Sequence, residues 1–149
     1  MTTRSSGFTL VELMVVVAII GILSAAGIIT YNGYISGTKQ TAAENTMQQI
    51  ALAQTEYYAN NSEYYFSTEC TIPNIDNSAG IEEELFDGGN VITRESGYEM
   101  CIQPDGTTYL VKASNGRQVK CPDDETEVLK QIKMTANGAW SDSEETCEV

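Results

Sequence analysis

The sequence predicts an α+β protein in which one long helix lies across an antiparallel sheet. An apolar run covers residues 8–29, and a run of roughly 20 such residues is long enough to span a bilayer as a helix. Apolar side chains then recur at helical spacing to about residue 59, and from residue 98 they alternate with polar ones, as in a strand. The helical stripe is the only apolar surface predicted to cover one face of the sheet, so we expect the two to pack together.

The predicted helix has an apolar half over residues 8–29 and an amphipathic half over residues 30–59. The face of the second half that should pack on the sheet carries Ala43, Met47, Ile50 and Tyr57. Gly21 and Gly27 interrupt the first half, although a glycine costs about 1 kcal/mol relative to alanine in a helix interior. They indicate either close packing between helices or a place where the helix unwinds, and both interpretations stay open.

Residues 60–149 form the predicted globular head. The polar segment 60–95 is expected to be a long connection with at most a short helix, and its acidic run Glu82–Glu84 is interpreted as a solvated face rather than a cation site. Residues 96–149 should form an antiparallel sheet of three or four strands and a carboxyl-terminal disulfide region. Turns at Asp105–Gly106 and Asn137–Gly138 separate the predicted strands.

The charge of the chain argues for an exported protein without a nucleic-acid site. It carries 8 basic and 21 acidic side chains, a formal net charge of −13. Phosphate binding needs clustered cations, and the sequence contains no such cluster. Arg4 is the only charge before the apolar run, so the positive-inside bias predicts a cytoplasmic amino terminus and export of the chain beyond residue 29.

All four cysteines lie in the head: Cys70, Cys101, Cys121 and Cys147. An even number in an exported domain predicts disulfides, and of the three possible connectivities we expect the sequential one, Cys70–Cys101 with Cys121–Cys147. The chain has no Cys-x-x-Cys pair and no histidine, which argues against a zinc site and excludes a Cys-His nucleophile. We therefore expect no metal, no cofactor and no catalytic residue.

One carboxylate, Glu12, lies near the start of the apolar run, where an uncompensated charge is unfavourable in lipid. The small residue Gly7 precedes the run, whereas a secretory signal peptide carries its small residues after it. Cleavage after Gly7 would create a free amine on Phe8, one helical turn from Glu12. The amine and the carboxylate would then compensate each other within one chain or between neighbours.

This arrangement resembles the type IV prepilin family, with a short leader that ends in glycine, phenylalanine at the first mature position and glutamate at the fifth. The resemblance implies the type IV pilin fold, a leader over residues 1–7, cleavage and N-methylation at Phe8 by a prepilin peptidase/N-methyltransferase, and assembly through Glu12. It also implies that residues 8–29 form a transmembrane and assembly helix. Ile29 stands where these pilins usually carry proline, so unwinding there would depend on Gly21 and Gly27.

The resemblance further implies a structural subunit that is held in the inner membrane as a single-pass protein and meets a pilus assembly platform. It would polymerise with identical or homologous subunits into an extracellular fibre for adhesion, twitching motility or DNA uptake. The alternatives are a minor pilin, a type II secretion pseudopilin, or a membrane-tethered periplasmic binding module. An enzyme has the least support, because the acids Asp123, Asp124, Glu125 and Glu127 follow Pro122 in an apparent turn without a nucleophile or histidine.

Cleavage between Gly7 and Phe8 predicts a mature chain that begins at Phe8. Gly7→Val should leave uncleaved precursor in the inner membrane, because a side chain would crowd the backbone at a peptidase that works at the membrane surface. Intact mass measurement of the wild-type and variant proteins checks both expectations. A mature chain that begins at any residue other than Phe8 would contradict the predicted processing.

Overall fold

Two helices and four strands make up the described part of the chain. The computed structural model describes residues 7–92, 96–120 and 127–142. In chain order the elements are α1 (Leu10–Asn61), α2 (Ile75–Phe86), β1 (Glu99–Asp105), β2 (Thr108–Lys120), β3 (Glu127–Thr135) and β4 (Trp140–Asp142). They confirm the predicted α+β class. The chain divides into two compact units, the first ending at Thr38 and the second beginning at Lys39.

Helix α1 is unbroken from Leu10 to Asn61, close to its predicted extent. It ends where Ser62 takes a left-handed φ of 61° and donates its backbone N–H to the carbonyl of Tyr58 at 2.8 Å. This bond satisfies one of the carbonyl groups that a helix leaves free at its carboxyl end. The helix continues through Gly21 and Gly27, so the single chain does not show the unwinding that one interpretation of these glycines allowed.

In the second unit, one face of α1 packs against one face of the sheet. Ala43, Met47 and Ile50 are buried as predicted, whereas Tyr57 is only half-buried. Full burial of a side chain such as Met47 or Ile50 favours folding by about 1.5–3 kcal/mol. The sheet supplies the other side of this core through Met100, Ile102, Val111, Ala113, Ile132 and Met134.

The strands pair in the order β1-β2-β3-β4, and each pair is antiparallel. Ile102 lies opposite Val111, which in turn lies opposite Met134, so the core side chains form a row across the sheet. Both predicted turns are present, after β1 and after β3. Gly106 and Gly138 have φ angles of 60° and 80° there, a conformation that glycine adopts without a Cβ clash.

The outer edge of β1 is covered by the segment that precedes it. The backbone N–H of Met100 donates to Ser78 Oγ of α2 at 3.0 Å, and that of Ile102 donates to Ser67 Oγ at 3.1 Å. The backbone N–H of Ser67 donates in return to the carbonyl of Ile102 at 2.9 Å. An uncovered edge would present free backbone groups to other chains, so these contacts protect the sheet from edge-to-edge pairing.

A disulfide also joins the segment between α1 and β1 to strand β1. Cys70 and Cys101 are bonded, with their Cα atoms 5.5 Å apart, and Cys101 is fully buried. This is the first of the two pairs expected from the sequence. Cys121 and Cys147 lie outside the described residues.

The acidic run Glu82–Glu84 lies on α2, the short helix allowed for in this connection. Its three carboxylates have different environments. Glu82 Oε1 accepts the backbone N–H of Ile92 at 3.0 Å and so closes the loop after the helix, whereas Glu83 and Glu84 are exposed. The interpretation as a solvated face therefore fits the last two residues, and Glu82 has a structural contact.

Gln54 joins α1 to the segment that follows it. The side chain is fully buried, its Nε2 donates to the carbonyl of Tyr65 at 2.7 Å, and its Oε1 accepts the backbone N–H of Tyr65 at 3.0 Å. Both polar ends of the amide are thus satisfied by one residue. A buried polar group is tolerated only when it is paired in this way.

Gln54→Leu should lower the free energy of unfolding by about 1–3 kcal/mol, because Tyr65 would keep a backbone donor and acceptor without partners. Chemical denaturation followed by circular dichroism measures the change. Gln49→Leu is the matched control, since Gln49 lies on the exposed side of the same helix. Equal stability of the two variants would contradict the structural role of Gln54.

Candidate assembly surface

The described apolar side chains at the start of the first unit are exposed. All residues from 7 to 25 are exposed, with Phe8 at 87% and Ile22 at 72%. Contiguous apolar patches larger than about 300–600 Å² are rare on soluble monomers and mark interaction sites. We call the following apolar residues the assembly surface: Phe8, Leu10, Val11, Leu13, Met14, Val15, Val16, Val17, Ile19, Ile20, Ile22 and Leu23.

Two glycines of α1, Gly21 and Gly27, have open space beside them. A Cβ atom built on Gly21 or Gly27 meets nothing within 4 Å, and the same is true of Gly7 before the helix. Small residues at these positions are therefore not required by packing within the chain.

The predicted transmembrane span over residues 8–29 is not confirmed. Among the described residues, no helix combines the length and the hydropathy that a membrane span requires.

Glu12 is paired with Thr9 at the start of α1. Glu12 Oε2 accepts the backbone N–H of Thr9 at 2.9 Å and its hydroxyl at 2.8 Å. The backbone N–H of Glu12 donates to Thr9 Oγ1 at 3.2 Å. This reciprocal arrangement is a capping box, which satisfies donors that a helix leaves free at its amino end.

The capping box adds a residue that the sequence analysis missed. Thr9 and Glu12 have the Ser/Thr-x-x-Glu spacing of a capping box, and that spacing was the signal in the sequence. The box fixes the position of the Glu12 side chain at the amino end of the assembly surface. Arg4 and the rest of residues 1–6 lie outside the described residues, so the structure does not place the leader.

A second polar group next to the assembly surface, the Ser24 hydroxyl, is satisfied inside the helix. The hydroxyl of Ser24 donates to the carbonyl of Ile20 at 2.7 Å. A hydroxyl that bonds the carbonyl four residues earlier leaves no donor in need of water. Ser24 is therefore compatible with a partner surface that is apolar.

The surroundings of Tyr109 and Lys112 in the second unit shift the pKa values of these side chains. Burial raises the pKa of Tyr109, with a smaller contribution from Tyr64, whose ring lies 5.0 Å away between centroids. Burial, and to a smaller extent the positive charge of Lys133, lower the pKa of Lys112, whose Nζ donates to the carbonyl of Cys70 at 3.2 Å.

Within the ranges that the structure describes, no three acidic or cysteine side chains are grouped so that they could hold a metal ion.

Comparison with known protein families matches the amino-terminal segment that contains this surface. Residues 2–28 match the family model described as the prokaryotic N-terminal methylation motif. The matched segment includes Gly7, Phe8, Thr9 and Glu12. No solved structure gives a significant match to the chain.

Curated proteins extend the similarity beyond this segment. The chain is 37% identical over 81 residues to a fimbrial protein of Neisseria meningitidis serogroup A, which covers 54% of this chain and 43% of that protein. It is 39% identical over 61 residues to the type IV major pilin protein PilA of Myxococcus xanthus, covering 41% and 28% respectively. A fimbrial protein of Dichelobacter nodosus is 34% identical over 121 residues, which is 81% of this chain and 66% of that protein.

Thr9→Val should fray the first turn of α1, because the backbone N–H of Glu12 would lose its acceptor. A lost cap costs about 0.5–2 kcal/mol, so amide hydrogen exchange at Glu12 and Leu13 should accelerate by roughly two- to thirtyfold. Thr9→Ser is the matched control, since it keeps the hydroxyl and should keep the wild-type exchange rates. Identical rates in all three proteins would show that the capping box does not hold this end of the helix.

Proposed function

The chain belongs to the type IV pilin family, and on that premise we propose that it is a structural subunit of a type IV pilus. In this proposal it polymerises through the assembly surface into an extracellular fibre. The single observation that carries the proposal is the contrast between the two units. The second unit closes its own core, whereas the first exposes a continuous apolar helix surface.

Burial of the assembly surface supplies the driving force for polymerisation. Removal of apolar area from water is favourable by about 25 cal/mol per Å². Helices of other subunits offer the same apolar side chains, so packing between copies buries the surface on both partners. Because Ser24 is satisfied within its own helix, its hydroxyl does not oppose this packing.

The Glu12 carboxylate gives the packing a fixed register. Apolar contacts are non-directional, so they do not select one axial position of a helix against its neighbours. A carboxylate in an apolar surrounding is stable only beside a cation or hydrogen-bond donors. After cleavage, the amine of Phe8 on an incoming subunit is such a cation, and Thr9 holds the carboxylate in position to receive it.

The subunit is processed and held in the membrane before assembly. A prepilin peptidase/N-methyltransferase cleaves after Gly7 and methylates Phe8, in keeping with the match to the methylation motif. The inner membrane retains the subunit through residues 8–29 until an assembly platform transfers it to the fibre. No catalytic role is proposed for the chain, and adhesion, twitching motility and DNA uptake are the functions that such a fibre would serve.

Glu12→Ala and Glu12→Gln should leave export and cleavage intact but impair polymerisation, because the Phe8 amine of an incoming subunit would lose its counter-charge. Processed monomer should accumulate in the inner membrane, with fibre yield reduced at least about tenfold, the equivalent of about 1.4 kcal/mol. Immunoblots of membrane and sheared fractions, together with electron microscopy of the cells, measure both quantities.

Glu56→Gln is the matched control for these variants. Glu56 is an exposed carboxylate on the same helix but in the second unit, so its loss should leave the fibre yield unchanged. Normal fibre yield from Glu12→Ala at wild-type subunit levels would show that the charge does not register the helices. A cleaved subunit that never enters fibres, even as wild type, would contradict the proposed function itself.

A further inference from the structure

The second unit contains an open groove between α1 and the β3–β4 edge of the sheet. Its volume is about 330 Å³, and it is lined by Gln40, Glu44, Gln48, Ile132 and Trp140. Small-molecule sites occupy about 300–1,000 Å³, so the groove is large enough for a small ligand. All of the lining residues belong to the second unit, and none is part of the assembly surface.

The groove has one polar wall and one aromatic wall. Gln40, Glu44 and Gln48 are spaced four residues apart on α1, so their side chains follow one line along the helix. Trp140 lies on β4 opposite Met134 of β3 and is 42% exposed, while Ile132 is buried beneath the groove. An indole of this size left exposed beside a buried aliphatic side chain offers a flat apolar platform.

The polar wall matches a neutral ligand with many hydroxyl groups. A glutamine amide offers both donors and an acceptor, and a carboxylate offers acceptors, so this wall can bind hydroxyls in either direction. Gln40 Nε2 donates to Glu44 Oε1 at 3.0 Å, which orients both side chains along the wall. Among the described residues that line the groove none is basic, so they offer no counter-charge to an anionic ligand.

From this geometry we infer that the groove binds a neutral oligosaccharide, with one sugar ring stacked on Trp140 and its hydroxyls bonded to Gln48 and Glu44. The C–H face of a pyranose ring is apolar and flat, whereas its hydroxyls point outward around the rim. The ring therefore matches an aromatic platform that faces a row of amides. A cationic ligand fits less well, because one indole does not form a cage and the Glu44 carboxylate already accepts from Gln40.

Trp140 also provides the measurement, because it is the only tryptophan in the chain. Its fluorescence is recorded in the full-length mature protein, kept monomeric in a polyoxyethylene detergent that has no sugar headgroup. The probes are maltotetraose, chitotetraose and lacto-N-tetraose. At least one should shift or quench the emission saturably at millimolar concentration or below, and the test does not depend on fibre formation.

Variants separate this site from a nonspecific response. Gln48→Ala should weaken the binding of that probe by roughly three- to tenfold, the loss of one or two hydrogen bonds. Gln49→Ala is the matched control, since Gln49 is exposed and does not line the groove. Trp140→Ala should abolish binding of the probe. Because this variant lacks the fluorophore, its binding is measured by isothermal calorimetry. A circular dichroism spectrum like that of the wild type checks that the variant is folded.

Three results would overturn the inference. The first is an emission that none of the three tetrasaccharides changes. The second is an equal affinity of the Gln48→Ala and Gln49→Ala variants for the tetrasaccharide that binds the wild type. The third is a saturable response to tetralysine or choline without any response to the sugars, which would identify a cation site instead.

Discussion

Burial of apolar surface is the constraint that separates the two units, because the second closes its own core whereas α1 leaves its apolar side chains between residues 8 and 25 exposed. Water in contact with so many apolar side chains is unfavourable, so the surface must be covered by lipid or by another protein chain. The second unit buries its own apolar side chains instead, and none of residues 8–25 belongs to its buried core. Its core and its set of anchors are therefore independent of residues 8–25.

Those anchors are polar side chains that form hydrogen bonds with backbone groups 11 to 35 residues away in the sequence. Gln54 fixes the segment after α1 through Tyr65, and Ser67 and Ser78 satisfy the outer edge of β1. The Cys70–Cys101 bond ties the same segment covalently. The connection between α1 and β1 is thus attached to both the helix and the sheet. A disulfide in a small exported domain stabilises it by about 2–5 kcal/mol, which is a large part of a typical total.

Features that depend on local pattern were predicted from the sequence. The helical face of Met47 and Ile50 follows from their spacing, and the two hairpin turns follow from an acid or amide residue followed by glycine. Gln54 was not predicted as a core residue, because its partner lies 11 residues away and a glutamine in a helix is usually solvated. The groove at Trp140 also escaped sequence analysis, since it depends on how the β3–β4 edge meets α1.

The composition of fibres sheared from the cell surface tests whether this chain is their structural subunit. Mass spectrometry of the purified fibres identifies their subunits and the first residue of each. We expect this chain to be the main component, with a methylated amino terminus at Phe8. Fibres that lack this chain, or that contain only traces of it, would contradict the claim that it is the structural subunit.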